Sequence, residues 1–206
     1  LTLLHDQEGR FMFVGERKAH LRLNERRRVG PGNPDPERAE KSLQVQERFL
    51  SAFPPEPGRK IALYMAVRGE VGTDRIRDRC LAAGAWLYYP RMWDDGNLTF
   101  FRHEENDGWE RGKFGIREPF ALPGREGVRK GFDLVVVPGL AFDAAGWRLG
   151  RGHGFYDRFL SGLGGRAVMV GLAFSWQLVP EVPVEAWDVP VDAVVTEKAV
   201  VGRGIK

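Results

Sequence analysis

The chain has 206 residues, is 43% hydrophobic and 29% charged, and carries a formal net charge of +3. That length suits one compact domain whose core needs no disulfide or metal staple, and the composition excludes a disordered or fibrous chain. The small positive excess demands no polyanionic partner and suits a small anionic ligand, while Cys80, the single cysteine, excludes an intramolecular disulfide.

The first predicted element is a hairpin over Leu1–Glu16, with apolar Leu3 and Leu4, a turn at Asp6–Gly9 and a return from Phe11 to Val14. Residues 1–16 are therefore set apart as an N-terminal extension, and 17–206 as a single domain. Lys18–Val29 predicts a basic helix whose Arg26, Arg27 and Arg28 form a solvated face or, as the alternative, a phosphate-binding surface, ended by the breakers Gly30-Pro31-Gly32-Asn33-Pro34. A second helix begins at Pro36, repeats Ala39, Leu43, Phe49, Leu50 and Phe53 at helical spacing, and stops at Pro54 and Pro55.

Ile61–Val67 is an apolar run suited to a buried strand, and Thr73 can cap a helix carrying Ile76, Cys80 and Ala83 that closes near Gly84. Cys80 falls on its apolar side and reads as a core residue. Strands follow at Trp86–Tyr89 and Leu98–Phe101, then a looser charged stretch from Glu104 to Gly131. Leu134–Val137 is the clearest buried strand; a helix around Tyr156–Leu163 and strands at Val168–Phe174 and Ala193–Val195 complete the pattern. Alternating strands and helices predict an α/β class: a three-layer α/β/α domain with a largely parallel central sheet.

No apolar run approaches the ~20 residues needed to span a bilayer, and the opening lacks a signal-peptide layout. A cytoplasmic location without membrane contact is the expectation.

The chemistry concentrates where the chain reads, from Asp133, DLVVVPGLAFDAAGWRLGRGHGFYDRFL. Gly150, Gly152 and Gly154 alternate with Arg151 and His153 and lead into a helix. Such glycines let backbone N–H groups approach a phosphate, and a helix N-terminus favours an anion. Arg148 and Arg151 add forked cationic donors, and Asp157 is a hard oxygen ligand suited to Mg²⁺. The Lys-Ser/Thr ending of a P-loop is missing, and Phe155 stands where a dinucleotide fingerprint requires glycine. Read by chemistry alone, this is a phosphate site.

The same block closely resembles the signature of the 5-formyltetrahydrofolate cyclo-ligases. Pro138, Gly139, Phe142, Asp143, Gly146, Arg148, Leu149, Gly150, Gly152, Gly154, Tyr156 and Asp157 match it in order and spacing. His153 and Phe155 depart from it, standing where Lys or Gly, and Tyr, are frequent. Lys18 with Leu21 and Arg22, Glu70-Val71 with Thr73, Tyr89-Pro90-Arg91, Gly115-Ile116 with Glu118-Pro119, and Val191-Asp192 resemble further family segments in the expected order.

The resemblance implies conversion of 5-formyltetrahydrofolate and ATP to 5,10-methenyltetrahydrofolate, ADP and phosphate. It implies Arg148, Arg151 and Tyr156 as catalytic residues. ATP would be bound by Lys18, Arg22 and the run Arg148, Leu149, Gly150, Arg151, Gly152, His153, Gly154, Phe155 and Tyr156. The folate would contact Met65, Glu70 and Phe114 together with Arg151, Gly152, His153, Gly154 and Phe155. Asp157 and Asp192 would hold Mg²⁺. The expected protein is a monomer with small-molecule substrates and no nucleic-acid partner. Two alternatives share the scaffold: an ATP-using enzyme for another N-formyl or amide substrate, and a non-catalytic RNA-binding relative.

Overall fold

In the computed structural model, the residues described are 3–5, 11–29, 35–67, 69–104, 107–121, 125–165 and 167–202. Strands β1 (Leu3–His5) and β2 (Phe11–Phe13) pair antiparallel, as the predicted hairpin requires, while its turn lies outside the described residues. Helix α1 (Val14–Val29) begins four residues earlier than Lys18, because Glu16 Oε2 accepts a hydrogen bond from the Phe13 N–H at 2.9 Å and closes the first turn. The boundary expected at residue 16 therefore falls inside a helix. The breaker cluster after it lies outside the described residues.

Helix α2 (Pro36–Ala52) has Asp35 as its cap, whose side chain accepts from the Arg38 N–H, and buries Val45, Phe49 and Leu50. Strand β3 (Lys60–Ala62) is shorter than the apolar run around it. Thr73 does precede helix α3 (Asp74–Ala82), but its hydroxyl donates to the Tyr64 carbonyl at 3.0 Å rather than capping. Strands β4 (Trp86–Met92) and β5 (Leu98–His103) form an antiparallel pair. The charged stretch after them holds a small hairpin, β6 (Trp109–Arg111) and β7 (Arg117–Pro119). Then come β8 (Leu134–Val137), the short pair β9 (Ala141–Phe142) and β10 (Arg148–Leu149), and helix α4 (Phe155–Ser161). Strands β11 (Val168–Leu172), β12 (Ala193–Val195) and β13 (Val200–Gly202) end the described chain.

Seven strands make the central sheet in the order β13-β12-β11-β8-β3-β4-β5, parallel from β12 to β4 and antiparallel at both edges. Strand alternation divides the core between the two faces. Leu134 and Val136 point to one, with Val45 and Phe49 of α2 and Ile76 and Cys80 of α3. Val135 and Val137 point to the other, with Phe159 and Leu160 of α4. Helices on both faces give the three layers the sequence predicted. Burial pushes the Cys80 thiol up to about 12, in keeping with a core role. Among the described residues no helix is long and apolar enough to cross a membrane.

Candidate active site

The glycine-rich block occupies the carboxyl ends of the parallel strands, where open α/β sheets place their ligands. Its shape has local causes. Asp143 ties the β9–β10 turn: Oδ1 accepts from the Ala145 and Trp147 N–H groups at 3.0 Å, and Oδ2 from the Val182 N–H at 3.0 Å. Gly146, at φ +86°, passes so close to Val191 that an added Cβ would lie 2.2 Å from its carbonyl oxygen. Leu149 is buried in a small core with Leu140, Ala141 and Val182, so only its backbone can face a ligand.

From Gly150 the chain loops out of the core. Gly152 (φ +105°) and Gly154 (φ +68°) take conformations open mainly to glycine, and they leave Arg151 and His153 exposed between them. Two arginines of α1 brace this loop: Arg22 Nε donates to the Gly150 carbonyl at 3.0 Å and Arg26 Nη2 to the Arg151 carbonyl at 3.2 Å. Burial, and then Arg26, lower the Arg22 pKa. Arg28, at the end of the same basic run, donates to the Trp176 carbonyl and pairs with Glu25.

The cations meeting at the loop have carboxylate partners. Arg148 Nη2 donates to Asp157 Oδ1 at 2.7 Å, while its buried Nε has no partner among the described residues and its guanidinium lies 5.7 Å from the Tyr156 ring. Arg151 donates from Nε and Nη2 to Glu70 Oε1 at 3.1 and 3.0 Å. Lys18, buried, donates to Glu185 at 2.7 Å and Asp188 at 2.5 Å. Burial raises the Glu70 pKa against the opposing pull of Arg151, and burial followed by Glu70 raises that of Tyr156.

These groups line one cleft of about 610 Å³. On one side stand α1 and the 185–188 turn; on the other stand Met65 and Glu70 after β3, Met92 and Leu98 of β4 and β5, and the β6–β7 hairpin. The glycine loop lies between them. Phe114, at the hairpin tip, is 65% exposed and so is no core residue; its ring centroid lies 4.8 Å from that of His153. It is also the single non-glycine residue at positive φ, 56°, among the described residues. Phe155 is partly buried and carries the Arg158 guanidinium 5.6 Å from its ring.

Every residue that the sequence nominated lines this cleft except Asp192. Asp192 sits at the opposite, amino end of β12, where Oδ2 accepts from the Met169 N–H at 2.7 Å and fixes the start of the strand pair. Asp192 does not line the cleft with Asp157, so the two acids expected to share Mg²⁺ are not brought together there. The cleft acids that sequence reasoning missed are Glu185 and Asp188, flanking an exposed Trp187. Their partner Lys18 lies about 170 residues away in the chain, and the only available signal was an acid pair three residues apart around an aromatic. Among the described residues, no group of three His, Cys, Asp or Glu side chains could hold a metal by itself.

Comparison with known proteins matches residues 14–197 to the 5-formyltetrahydrofolate cyclo-ligase family. A 5-formyltetrahydrofolate cyclo-ligase of Escherichia coli (strain K12) is 33% identical over 165 residues, covering 78% of this chain and 90% of that one. The Mus musculus cyclo-ligase is 29% identical over 175 residues, covering 78% and 84%. In structure, the chain superposes on the 5,10-methenyltetrahydrofolate synthetase of Aquifex aeolicus with a TM-score of 0.76 and 32% identity, over 92% of this chain and 96% of that one. The synthetase of Mycoplasma pneumoniae, 22% identical with a TM-score of 0.66, shares the fold over 87% of this chain and 98% of its own. The chain belongs to the 5-formyltetrahydrofolate cyclo-ligase family.

Proposed function

We propose that this family member converts 5-formyltetrahydrofolate to 5,10-methenyltetrahydrofolate while ATP becomes ADP and phosphate. The observation that carries the reading is a single cleft holding a glycine loop, three carboxylate-paired cations and an apolar wall beside an aromatic tip. Such a site suits phosphates in the middle and a flat heterocycle against Met65, Met92 and Phe114.

The chemical difficulty is that a formyl oxygen leaves poorly from carbon. Transfer of the γ-phosphoryl to that oxygen lets N10 attack the formyl carbon; the C–O bond then breaks, and the oxygen departs with phosphate. No covalent enzyme intermediate is needed, so positioning and charge neutralisation are what the chain must supply. Arg148 has an unpartnered buried Nε to offer a phosphoryl oxygen, and Asp157 keeps its guanidinium aimed. Arg151 neutralises charge at the loop, whose Gly150–Gly154 amides cradle adjacent phosphates. Lys18 and Arg22 hold the nucleotide from the α1 side, and Glu70 accepts from N–H groups of the folate. Tyr156 supports Arg148 through its ring.

Mg²⁺ ordinarily takes one or two protein carboxylates beside phosphate oxygens and water. Asp157 and Asp188 line the same cleft and fit that need without a cage of protein ligands. When bound, the ion supplies neutralisation of phosphate charge.

The direct test follows the long-wavelength absorbance of the methenyl product after mixing folded protein with 5-formyltetrahydrofolate, ATP and Mg²⁺. ATP-dependent growth of that band is expected. Its absence, with turnover of another N-formyl or amide compound, would reassign the substrate.

A further inference from the structure

The side of the cleft away from Phe114 carries a feature that phosphate binding leaves unused. Trp187 is 66% exposed, yet it lines the cleft. An indole standing in a cleft presents a large, rigid amphipathic face, the kind of ring enriched where proteins contact ligands and partners. It is also held in place rather than loose. Asp188 Oδ2 accepts both from Lys18 Nζ at 2.5 Å and from the Glu185 N–H at 2.7 Å, closing the turn on which the ring stands.

The surroundings define what this ring can receive. Lys18, Arg22 and Arg26 line the cleft with it, and Gly15, at the start of α1, has no atom of the described residues within 4 Å of where a Cβ would lie. The glycine loop is reached from this side by Arg22 and Arg26, and from the other by Phe114 against His153. With a flat apolar substrate on the Phe114 side and phosphates at the loop, whatever is attached to the phosphates must extend toward α1. Among the cleft-lining aromatics, Trp187 alone stands there.

We propose that Trp187 is the stacking platform for the base of the nucleoside triphosphate, a subsite that takes a purine ring. This rests on the reading that the loop binds nucleotide phosphates. An exposed ring reads the area of a base more than its edge, so the subsite favours purines over pyrimidines and nucleotides over bare polyphosphate.

The experiment uses calorimetric titration of the full chain, wild type and the variants Trp187→Ala and Trp187→Phe, with ATP and with inorganic tripolyphosphate. Since the side chain is exposed, the fold does not depend on it. Base–aromatic stacking lost to alanine is expected to weaken ATP on the order of tenfold. Tripolyphosphate should bind all three proteins equally, and Trp187→Phe should keep most of the ATP affinity. An alanine variant that loses neither probe, or both equally, overturns the platform and leaves the phosphate site standing. A wild-type chain that binds neither probe overturns the phosphate reading and the platform with it.

Discussion

Arg148 and Asp157 form an ion pair of 2.7 Å whose side chains are only 3% and 17% exposed, one from the first residue of β10 and the other from the first turn of α4. The pair thus joins the two ends of the glycine loop. The loop's open backbone is tied at both ends, while Arg151 reaches Glu70 and Arg22 and Arg26 brace it between them.

Arg148→Ala should lower turnover by at least 10²–10³, the range for removing one oriented donor from a reacting oxyanion. It should also cost roughly 3 kcal/mol of stability, because Asp157 is left withdrawn from solvent without its partner. Adding Asp157→Leu to that variant should restore part of the stability and none of the turnover. Urea unfolding beside the methenyl absorbance assay separates the two effects. Near-normal turnover in a folded Arg148→Ala protein would remove Arg148 from the reaction.

Asp188 and Asp192 should behave oppositely. Asp188 shares the cleft with Asp157, so Asp188→Asn should raise the Mg²⁺ concentration for half-maximal rate several-fold and loosen Lys18. Asp192 holds the Met169 N–H at the far end of β12. Asp192→Ala should leave the Mg²⁺ dependence alone and cost about 1 kcal/mol, the net worth of one hydrogen bond. Titrating Mg²⁺ on both variants decides; a reversed pattern would return Asp192 to the metal.

Those two acids also show what the sequence could and could not carry. Leu134–Val137 was legible because it is apolar at every position, as a strand covered on both faces must be. The glycine loop was legible because its residues are adjacent in sequence. The place of Asp192 was not legible because an acid before a strand does not reveal which end of the sheet it occupies. Asp188 was invisible because its meaning lies in Lys18, reached only through folding. The β6–β7 hairpin escaped notice since Trp109–Arg111 and Arg117–Pro119 are short, charged and interrupted by proline. A helix start at Val14 was hidden because the chain passes from strand to helix with no breaker, closed by a single carboxylate.

Glu70 should leave a mark on the pH dependence of stability. Burial raises its folded pKa above the ordinary 4.5, with Arg151 only partly offsetting this. A carboxyl with a raised folded pKa favours the fold most below its unfolded pKa, and that contribution is lost as pH rises through the folded value. Glu70→Gln removes the titration. Its stability relative to wild type should therefore improve as pH rises from about 4.5, while folate KM rises as a charged acceptor is replaced by a neutral one. Parallel unfolding curves for the two proteins across that window would show that Glu70 is solvated in the fold.

Phe114 combines exposure, a left-handed backbone and an aromatic contact with His153. A non-glycine residue in that backbone region costs on the order of 1 kcal/mol, and such strain persists mainly where a ligand is clamped. The two functions of the position can be separated. Phe114→Gly relieves the backbone and removes the ring, Phe114→Ala removes the ring and keeps the strain, and Phe114→Trp keeps both. If the ring covers the folate, Gly and Ala should raise folate KM alike, by about tenfold for a lost stacking partner. Trp should stay near wild type, and ATP affinity should not change in any of the three. Stability should order the other way, with Gly at or above wild type and Ala slightly below, since an exposed ring contributes little to the core. A KM that follows the stability order instead would make Phe114 a strut of the hairpin and move the folate elsewhere in the cleft.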